Sequence, residues 1–568
     1  MLIWVVLGLT LAEPSFAGEI FGWAKNFSRQ SLSAIQETGS HGATSAWFLA
    51  ICCALFTLYY WILRRVEGIV CPRVQAVIFL AGAFFLMIQL IAPVMLSTDA
   101  FAYAIYGRVL SVYHENPYDA APAGVAIDPF MPHFGQQYLP SWYGPLWTLI
   151  SACITWFGGE HVGLIILLFR SFAVISALFC ALFIWLILRK TKPQCAAQGL
   201  VFFLWNPLLV METGLSAHND CTMLAIALLG FWLHLRGAKV AALVALTLSA
   251  LIKFFTGMLI PLYVVLVLRE AKDWRERISF LTRGGLATIL IAGGAMVFSR
   301  SDSGVPAGHA AFAPDFYRNN FHELIFKGLR LSLGEDAKSI RTSIYFQGWW
   351  ITPNQEAPLS ASADKNSPVI AHLNHNDKLI VVAPQEGDWA RVYDPALKKF
   401  GFVDTALFSE TIYTAADKSD AVVQKYEHMA MDWPTVQTAN RWIRFVTWLS
   451  LALFGLWCVW RTTSFDEFLV WSAAALIAAC YSIITEIWPW YVNWGVGLGA
   501  LAPHRLPARL VIFLSPAVLT LYVTLGYLGS EPNWIGEYRS LIAFVLPVTL
   551  FFVSLRIHRR GPAVCSAS

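Results

Sequence analysis

Charged side chains are scarce in this chain of 568 residues. Asp, Glu, Lys and Arg make up 13% of it, whereas ordinary soluble domains carry about a quarter. The net charge of +4 is too small to indicate a nucleic-acid partner. The ten cysteines form no Cys-x-x-Cys pair, which excludes zinc ribbons and thioredoxin-like redox sites. No glycine-rich phosphate loop or Walker pattern stands out, which argues against a nucleotide-driven transporter.

Apolar residues are abundant instead. They make up 57% of the chain, and the mean hydropathy is +0.57. Apolar runs of about 20 residues recur, which is the length that crosses a bilayer as a helix. The sequence therefore predicts a polytopic α-helical membrane protein of about 13 spans. These spans are 45–63, 76–95, 162–188, 197–212, 221–236, 240–252, 254–268, 279–298, 442–460, 466–485, 490–502, 509–528 and 539–556.

Lys and Arg clusters between the apolar runs predict the orientation. Placing all of them in the cytoplasm satisfies the positive-inside rule only if 240–252 and 254–268 are two legs hinged at Lys253. The same alternation of cytoplasmic and extracytoplasmic loops predicts that Tyr143–Phe157 is re-entrant or interfacial and does not cross the membrane. It puts most polar side chains of interest on the extracytoplasmic face, which carries 96–160, 213–220, 300–441, 485–491 and 529–538.

Four regions follow from composition. Residues 1–17 are either a signal peptide or a short uncleaved anchor. Segments 18–299 and 442–568 are the two membrane parts, and the charge-rich segment 300–441 is an extracytoplasmic insert. Within it, 358–410 has short alternating runs separated by Gly, Asp and Asn turns, typical of a small all-β barrel. It resembles a bacterial SH3-like domain, which would serve as a spacer or bind a cell-wall ligand.

Asp99 is the first candidate for chemistry. It follows the span 76–95 and precedes a Tyr-rich segment. A carboxylate at the lip of a membrane helix is suited to act as a general base. The alternative is a helix cap.

His218, Asn219 and Asp220 form the second candidate, at the start of the span 221–236. These side chains can bind a cation or hydrogen-bond sugar hydroxyls, and the alternative is again a helix cap. Lys253 and Arg170 are cations within apolar surroundings, where either could hold a phosphate. Snorkelling to the interface is the alternative for Arg170.

Glu486, Trp490 and Tyr491 lie near one another before the span 490–502 or at its start. Aromatic residues at a membrane boundary usually form an interfacial belt. They also stack on sugar rings or line a groove for a lipid chain. Glu486 is the acidic member of this group, and it is a further candidate for the site.

An ordered set of short motifs resembles a known family. The set is Asp99, Tyr103-x-x-Tyr106-Gly107-Arg108, Asn116-Pro117-Tyr118, Tyr143-Gly144-Pro145-Leu146, Asn206-Pro207-Leu208, Gly214, His218-Asn219-Asp220, Ile252-Lys253 and Pro489-Trp490-Tyr491. Together they resemble the GT-C glycosyltransferases, most closely the bacterial polyprenol-phosphate-mannose-dependent α-mannosyltransferases. The resemblance covers about 76–300 and 442–556.

This resemblance implies an enzyme that moves a sugar, mannose in its nearest relatives, from a polyprenyl phosphate to a glycan, glycolipid or protein hydroxyl with inversion. It implies a multi-pass protein of the bacterial inner membrane with an extracytoplasmic site. Asp99 would be the base and His218, Asn219 and Asp220 the second acidic site, for sugar or metal. Lys253, Arg170 and Arg108 would hold the donor phosphate. The substrate-lining residues would be Tyr103, Tyr106, Asn116, Tyr143, Glu486, Trp490 and Tyr491.

No cofactor is certain from the sequence, and a divalent cation is compatible with His218 and Asp220. Two other function classes stay open. A transporter of a lipid-linked glycan would share the basic and aromatic cavity, but it would tend to show two related halves, which this sequence lacks. A wall-binding scaffold would act through the SH3-like insert alone.

Overall fold

The computed structural model describes most of the two membrane parts and much of the insert. The described residues are 41–91, 96–118, 128–131, 141–300, 322, 324–325, most of 349–407, 413–414, 434–482, 487–524 and 539–560. Segment 1–17 and Glu486 lie outside them. The expectations for these two therefore stay predictions.

Helices lie at each of the predicted spans, because each span is an apolar run bounded by polar or helix-breaking residues. Before the insert they are α1 His41–Arg65, α2 Pro72–Ile88, α3 Asp99–Ser111, α4 Pro145–Gly158, α5 Val162–Thr191, α6 Ala196–Leu204, α7 Pro207–Gly214, α8 Asp220–Leu235, α9 Lys239–Ala250, α10 Leu259–Glu270 and α11 Trp274–Phe298. After it come α12 Pro434–Arg461, α13 Phe465–Ser482, α14 Val492–Gly499, α15 Leu506–Val518, α16 Thr520–Thr524 and α17 Leu546–Arg560.

The helix lengths confirm a membrane protein but not the count of 13 spans. Six helices within the described residues are long and apolar enough to cross a bilayer. A seventh span is formed if Pro193–Leu204 and Pro207–Gly214, which meet at a bend of 52°, are taken together. Other apolar helices, such as α8 with 16 residues and α9 with 12, fall short of the length that crosses a bilayer alone.

The predicted hinge at Lys253 is present. α9 ends at Ala250, and a turn with a short 3₁₀ helix, Phe254–Met258, leads into α10. The Tyr143–Phe157 region forms α4, whose 14 residues span about 21 Å. This length is less than the roughly 30 Å of a bilayer core. It favours the re-entrant or interfacial placement.

Gly144 ties this short helix to the hinge. The backbone N–H of Leu146 donates to the carbonyl of Leu251 at 3.0 Å. A Cβ added at Gly144 would lie 2.2 Å from the same oxygen, so only glycine permits this approach. The Tyr-Gly-Pro-Leu motif therefore positions the backbone next to Lys253.

The described residues of the insert form an antiparallel sheet. Its strands are β1 Trp349–Ile351, β2 Ala357–Ser360, β3 Val369–Leu373, β4 Leu379–Glu386, β5 Trp389–Asp394, β6 Lys399–Asp404 and β7 Tyr413–Thr414. They run in the order β3-β2-β6-β5-β4-β1-β7. A small core of Leu359, Leu373, Leu379, Val392 and Val403 supports the sheet. The β structure of the insert is confirmed, and its SH3-like identity stays a prediction.

We expect Gly144→Ala to disturb the hinge, because the new methyl group would force the Leu251 carbonyl away. Overpacking of this kind costs about 1–3 kcal/mol. The unfolding temperature of the purified protein in detergent should fall. Gly285→Ala is the matched control, since a Cβ at Gly285 meets nothing within 4 Å. An unfolding temperature of Gly144→Ala equal to that of the control would contradict this role.

Candidate active site

Four segments that are distant in sequence meet at one cluster of polar side chains. They are the start of α3 with Asp99, the loop between α7 and α8 with His218, the hinge with Lys253, and the segment leading into α14 with Trp490. His218 contacts Asp99 and Trp490, and Lys253 contacts Asp220. The structure therefore brings together the residues proposed for the base, the second acidic site and a phosphate-binding cation.

Asp99 begins α3 and remains 26% exposed. Its backbone N–H donates to the hydroxyl of Ser97 at 3.1 Å, and Tyr103 donates to its carboxylate at 3.4 Å. Thr98, not Asp99, occupies the cap position of the helix. The carboxylate thus has no capping task and stays accessible.

His218 lies between two carboxylates. Its Nδ1 is 3.4 Å from Asp99 Oδ2, and its Nε2 is 3.3 Å from Glu212 Oε2. Both distances are within ion-pair range, although neither contact meets hydrogen-bond geometry. Burial alone would lower the pKa of His218, but the two carboxylates outweigh burial and raise the pKa to about 9. The imidazole is therefore a cation at neutral pH.

The backbone before His218 is strained. Ala217 has a φ of +59°, a left-handed conformation that is uncommon for a residue other than glycine. Such strain tends to occur at functional sites. The ring of His218 stacks on Trp490 with centroids 3.8 Å apart, and Trp490 stacks in turn on Trp488. Both effects fix the direction of the imidazole.

Electrostatics also act on the base itself. Burial alone would raise the pKa of Asp99, but His218, Lys253 and Tyr103 outweigh burial and lower it. Asp99 is therefore ionised at neutral pH and ready to accept a proton.

Asp220 is the anion of a buried ion pair. Lys253 Nζ lies 2.7 Å from its Oδ1, and the indole N–H of Trp494 donates to the same oxygen. The ammonium also lies over the rings of Tyr491 and Trp494, 5.1 and 5.8 Å from their centroids. Asn219 holds the cap position of α8 without a side-chain capping bond. The capping alternative therefore explains neither Asn219 nor Asp220.

Several buried polar atoms at this cluster have no hydrogen-bond partner among the described residues. They are Asn219 Oδ1 and Nδ2, Asp220 Oδ2 and Tyr143 Oη. Buried polar groups in native proteins are nearly always hydrogen-bonded. This set therefore indicates a place where a polar ligand or water completes the bonding.

Arg108 and Arg170 are engaged elsewhere. Arg108 forms a buried ion pair with Asp128 at 2.7 Å and donates to the carbonyl of Gly159, which fastens the loop at 128–131 to α3. Arg170 donates to the carbonyls of Gly214, at 2.9 Å, and Gln89. Both guanidinium groups are thus held by the protein itself. The sequence analysis had considered phosphate binding for both and snorkelling for Arg170, but not these contacts within the protein.

The expected lining residues separate into two groups. Tyr103, Tyr143, Trp490 and Tyr491 surround the cluster, whereas Tyr106 packs behind Tyr143. Asn116 is a half-buried loop residue that donates to the carbonyl of Arg300. Asn116 is not at the cluster in this structure.

Three residues of the site were given no role from the sequence. Glu212 is fully buried beside His218, Tyr522 donates to Glu212 at 2.7 Å, and Trp494 donates to Asp220. A carboxylate within an apolar helix is a signal that could have identified Glu212. The two aromatic residues gave no such signal, because aromatic side chains are common in membrane helices.

The described residues contain no group of three or more His, Cys, Asp or Glu side chains arranged to hold a metal ion. The ammonium of Lys253 already lies on Asp220.

Comparison with known proteins supports the resemblance. Residues 7–269 match the family model described as alpha-(1→6)-mannopyranosyltransferase, N-terminal domain. One relative, an alpha-(1→6)-mannopyranosyltransferase of Mycobacterium tuberculosis, is 29% identical over 160 residues, covering 27% of this chain and 26% of its own. Alpha-(1→6)-mannopyranosyltransferase A of the same organism is 25% identical over 218 residues, covering 35% and 40%.

The matches thus span about a quarter to two fifths of the length of these relatives. The relatives are named as glycosyltransferases, the class that the ordered motifs predict. The resemblance of this chain to mannosyltransferases of the GT-C type is therefore confirmed, through the family match to its N-terminal membrane part.

Proposed function

We propose that the protein transfers mannose from a polyprenyl-phosphate donor to a hydroxyl group of a glycan or glycolipid. The observation that carries this proposal is the placement of Asp99, an accessible carboxylate, beside a cationic histidine and a Lys253–Asp220 pair. The names of the relatives favour mannose as the sugar and a 6-hydroxyl as the acceptor group.

The reaction is a single displacement. The acceptor oxygen forms a bond to the anomeric carbon of mannose, and the bond from that carbon to the phosphate oxygen breaks. The electron pair of the broken bond leaves with polyprenyl phosphate, and Asp99 takes the proton of the acceptor hydroxyl. One displacement inverts the anomeric configuration.

Lys253 is suited to the leaving phosphate. Asp220 takes one of its three ammonium donors, so the others are available to the charge that develops on the phosphate oxygen. Asn219 and Tyr143, with buried polar atoms lacking partners, would bind sugar hydroxyls. Arg108 and Arg170 are left out of this role because protein groups already hold them.

The distribution of basic residues supports an extracytoplasmic site in the bacterial inner membrane. Lys and Arg lie at the C-terminal ends of α1, α5, α8 and α10, which the positive-inside rule places in the cytoplasm. Asp99, His218 and Trp490 each follow the next membrane segment along the chain, at its other end. The β sheet of the insert would share that face, as a spacer or as a module for a cell-wall ligand.

Asp99→Asn should reduce transfer about 10²- to 10⁴-fold, because the amide cannot accept the acceptor proton. The assay is transfer of radiolabelled mannose from polyprenyl-phosphate mannose to an alkyl α-mannoside or to membrane extract. Asp466→Asn is the matched control, since its carboxylate is exposed and forms a surface pair with Lys192. Asp99→Asn with the activity of the control would exclude Asp99 as the base.

Wild-type protein that moves the donor lipid across vesicles without transferring mannose to any acceptor would instead support a transporter. Wild-type protein that transfers no mannose, and whose function in cells depends on the insert but not on Asp99, would support the scaffold alternative.

The Lys253–Asp220 pair can be tested by three variants. Lys253→Gln alone should destabilise the protein by about 3–5 kcal/mol, because it leaves a buried carboxylate unpaired. Combining it with Asp220→Asn should restore the unfolding temperature but weaken binding of polyprenyl phosphate about ten- to a hundredfold. Asp220→Asn alone keeps the ammonium and should retain that binding.

Binding of polyprenyl phosphate is measured by competition with the labelled donor for each variant. Wild-type affinity in the double variant would show that Lys253 serves stability only.

A further inference from the structure

A chain of side-chain contacts leads from Asp99 into the interior of the protein. His218 lies 3.4 Å from Asp99 and 3.3 Å from Glu212. The other carboxylate oxygen of Glu212 accepts the hydroxyl of Tyr522 at 2.7 Å. Glu212, His218 and Tyr522 are all buried, with 1% exposure or less, so only Asp99 of the four reaches solvent or substrate.

We propose that Glu212 is a positioning residue for the transfer reaction, and that it holds His218 as a cation which in turn keeps Asp99 ionised and directed toward the acceptor. This inference rests on the proposed function of the site. Tyr522, from the part of the chain that follows the insert, fixes Glu212 for this task.

Charge balance supports this arrangement. A buried carboxylate is costly unless it is paired, and Glu212 Oε2 has no hydrogen bond among the described residues, so its partner is the imidazole of His218. Glu212 and His218 neutralise each other, as do Asp220 and Lys253. The cluster then has a net negative charge, which belongs to Asp99. An ionised carboxylate is the form of Asp99 that can accept a proton.

Without Glu212, the cation of His218 would be stabilised by Asp99 alone. The imidazole would lose its proton more readily and Asp99 would lose its positive neighbour. The titratable and charged groups near His218 are Asp99 and Tyr103 on α3, Glu212 on α7, Asp220 on α8, Lys253 in the hinge, and Tyr522 on α16. Glu212 and Asp99 are the two that contact its nitrogens.

The order of these contacts also explains why the site needs both membrane parts. Glu212 lies on α7 before the insert, and Tyr522 lies on α16 after it, 310 residues apart. Trp490, which covers the ring of His218, is likewise from the later part. Loss of the Tyr522 hydroxyl should therefore act on the reaction through Glu212 and His218.

The test is the pH dependence of mannose transfer by Glu212→Gln. In the wild type the rate should fall at high pH as His218 loses its proton, since its pKa is about 9. In Glu212→Gln this alkaline fall should move to lower pH by about one unit or more, with kcat affected more than the donor KM. Tyr522→Phe keeps the carboxylate and should shift the profile in the same direction by less.

Glu270→Gln is the matched control. Glu270 lies 3.5 Å from His234, which forms a second histidine–glutamate contact. His234 is near the C-terminal end of α8, whereas the cluster is at its N-terminal end. This variant should leave the pH profile unchanged. An unshifted profile in active Glu212→Gln would overturn the proposal.

Stability provides a readout that does not depend on the reaction. Because the folded-state pKa of His218 is raised, its contribution to stability is fully present below about pH 6.5 and is lost as pH rises through about 9. The unfolding temperature of the wild type should therefore fall across this window, and that of Glu212→Gln should fall at lower pH. Identical curves would overturn the role of Glu212.

The two failures are distinguishable. A shifted stability curve in a protein that transfers no mannose would refute the proposed function. Full transfer that requires Asp99, with no shift in Glu212→Gln, would refute only the positioning role.

Discussion

The buried ion pair between Lys253 and Asp220 connects the parts of the membrane domain that carry the site. Charge within an apolar interior is tolerated only when it is paired. The pair joins the hinge between α9 and α10 to the start of α8. Trp494, on α14, donates a hydrogen bond to the same carboxylate. The close approach of Gly144 to Leu251 brings α4 to the same hinge. His218 lies two residues before Asp220, and it contacts both Asp99 and Trp490.

The site is completed by residues outside the segment that matches the family model. The match ends at residue 269, but Trp490, Trp494 and Tyr522 contact His218, Asp220 and Glu212. The C-terminal membrane part thus supplies the aromatic surroundings of a polar cluster built by the N-terminal part.

Sequence patterns predicted the features that local chemistry determines. The hinge at Lys253 was predicted from the positions of basic residues. The clustering of Asp99 with His218 and Asp220 was expected because the predicted topology puts all three on the same face of the membrane. The patterns did not predict the partners of Arg108 and Arg170, because these partners are distant in sequence. Arg108 pairs with a carboxylate 20 residues away and a backbone carbonyl 51 residues away, and Arg170 donates to carbonyls 44 and 81 residues away. The pairing of Glu212 with Tyr522, 310 residues apart, was hidden for the same reason.

The central claim is that one carboxylate drives a single displacement at the anomeric carbon. The most direct test is the anomeric configuration of the product, measured by NMR after wild-type protein has transferred isotopically labelled mannose from a donor of known configuration. The account predicts that every transferred mannose has the configuration opposite to that in the donor. Retention of the donor configuration would exclude a single back-side displacement, and it would contradict the account.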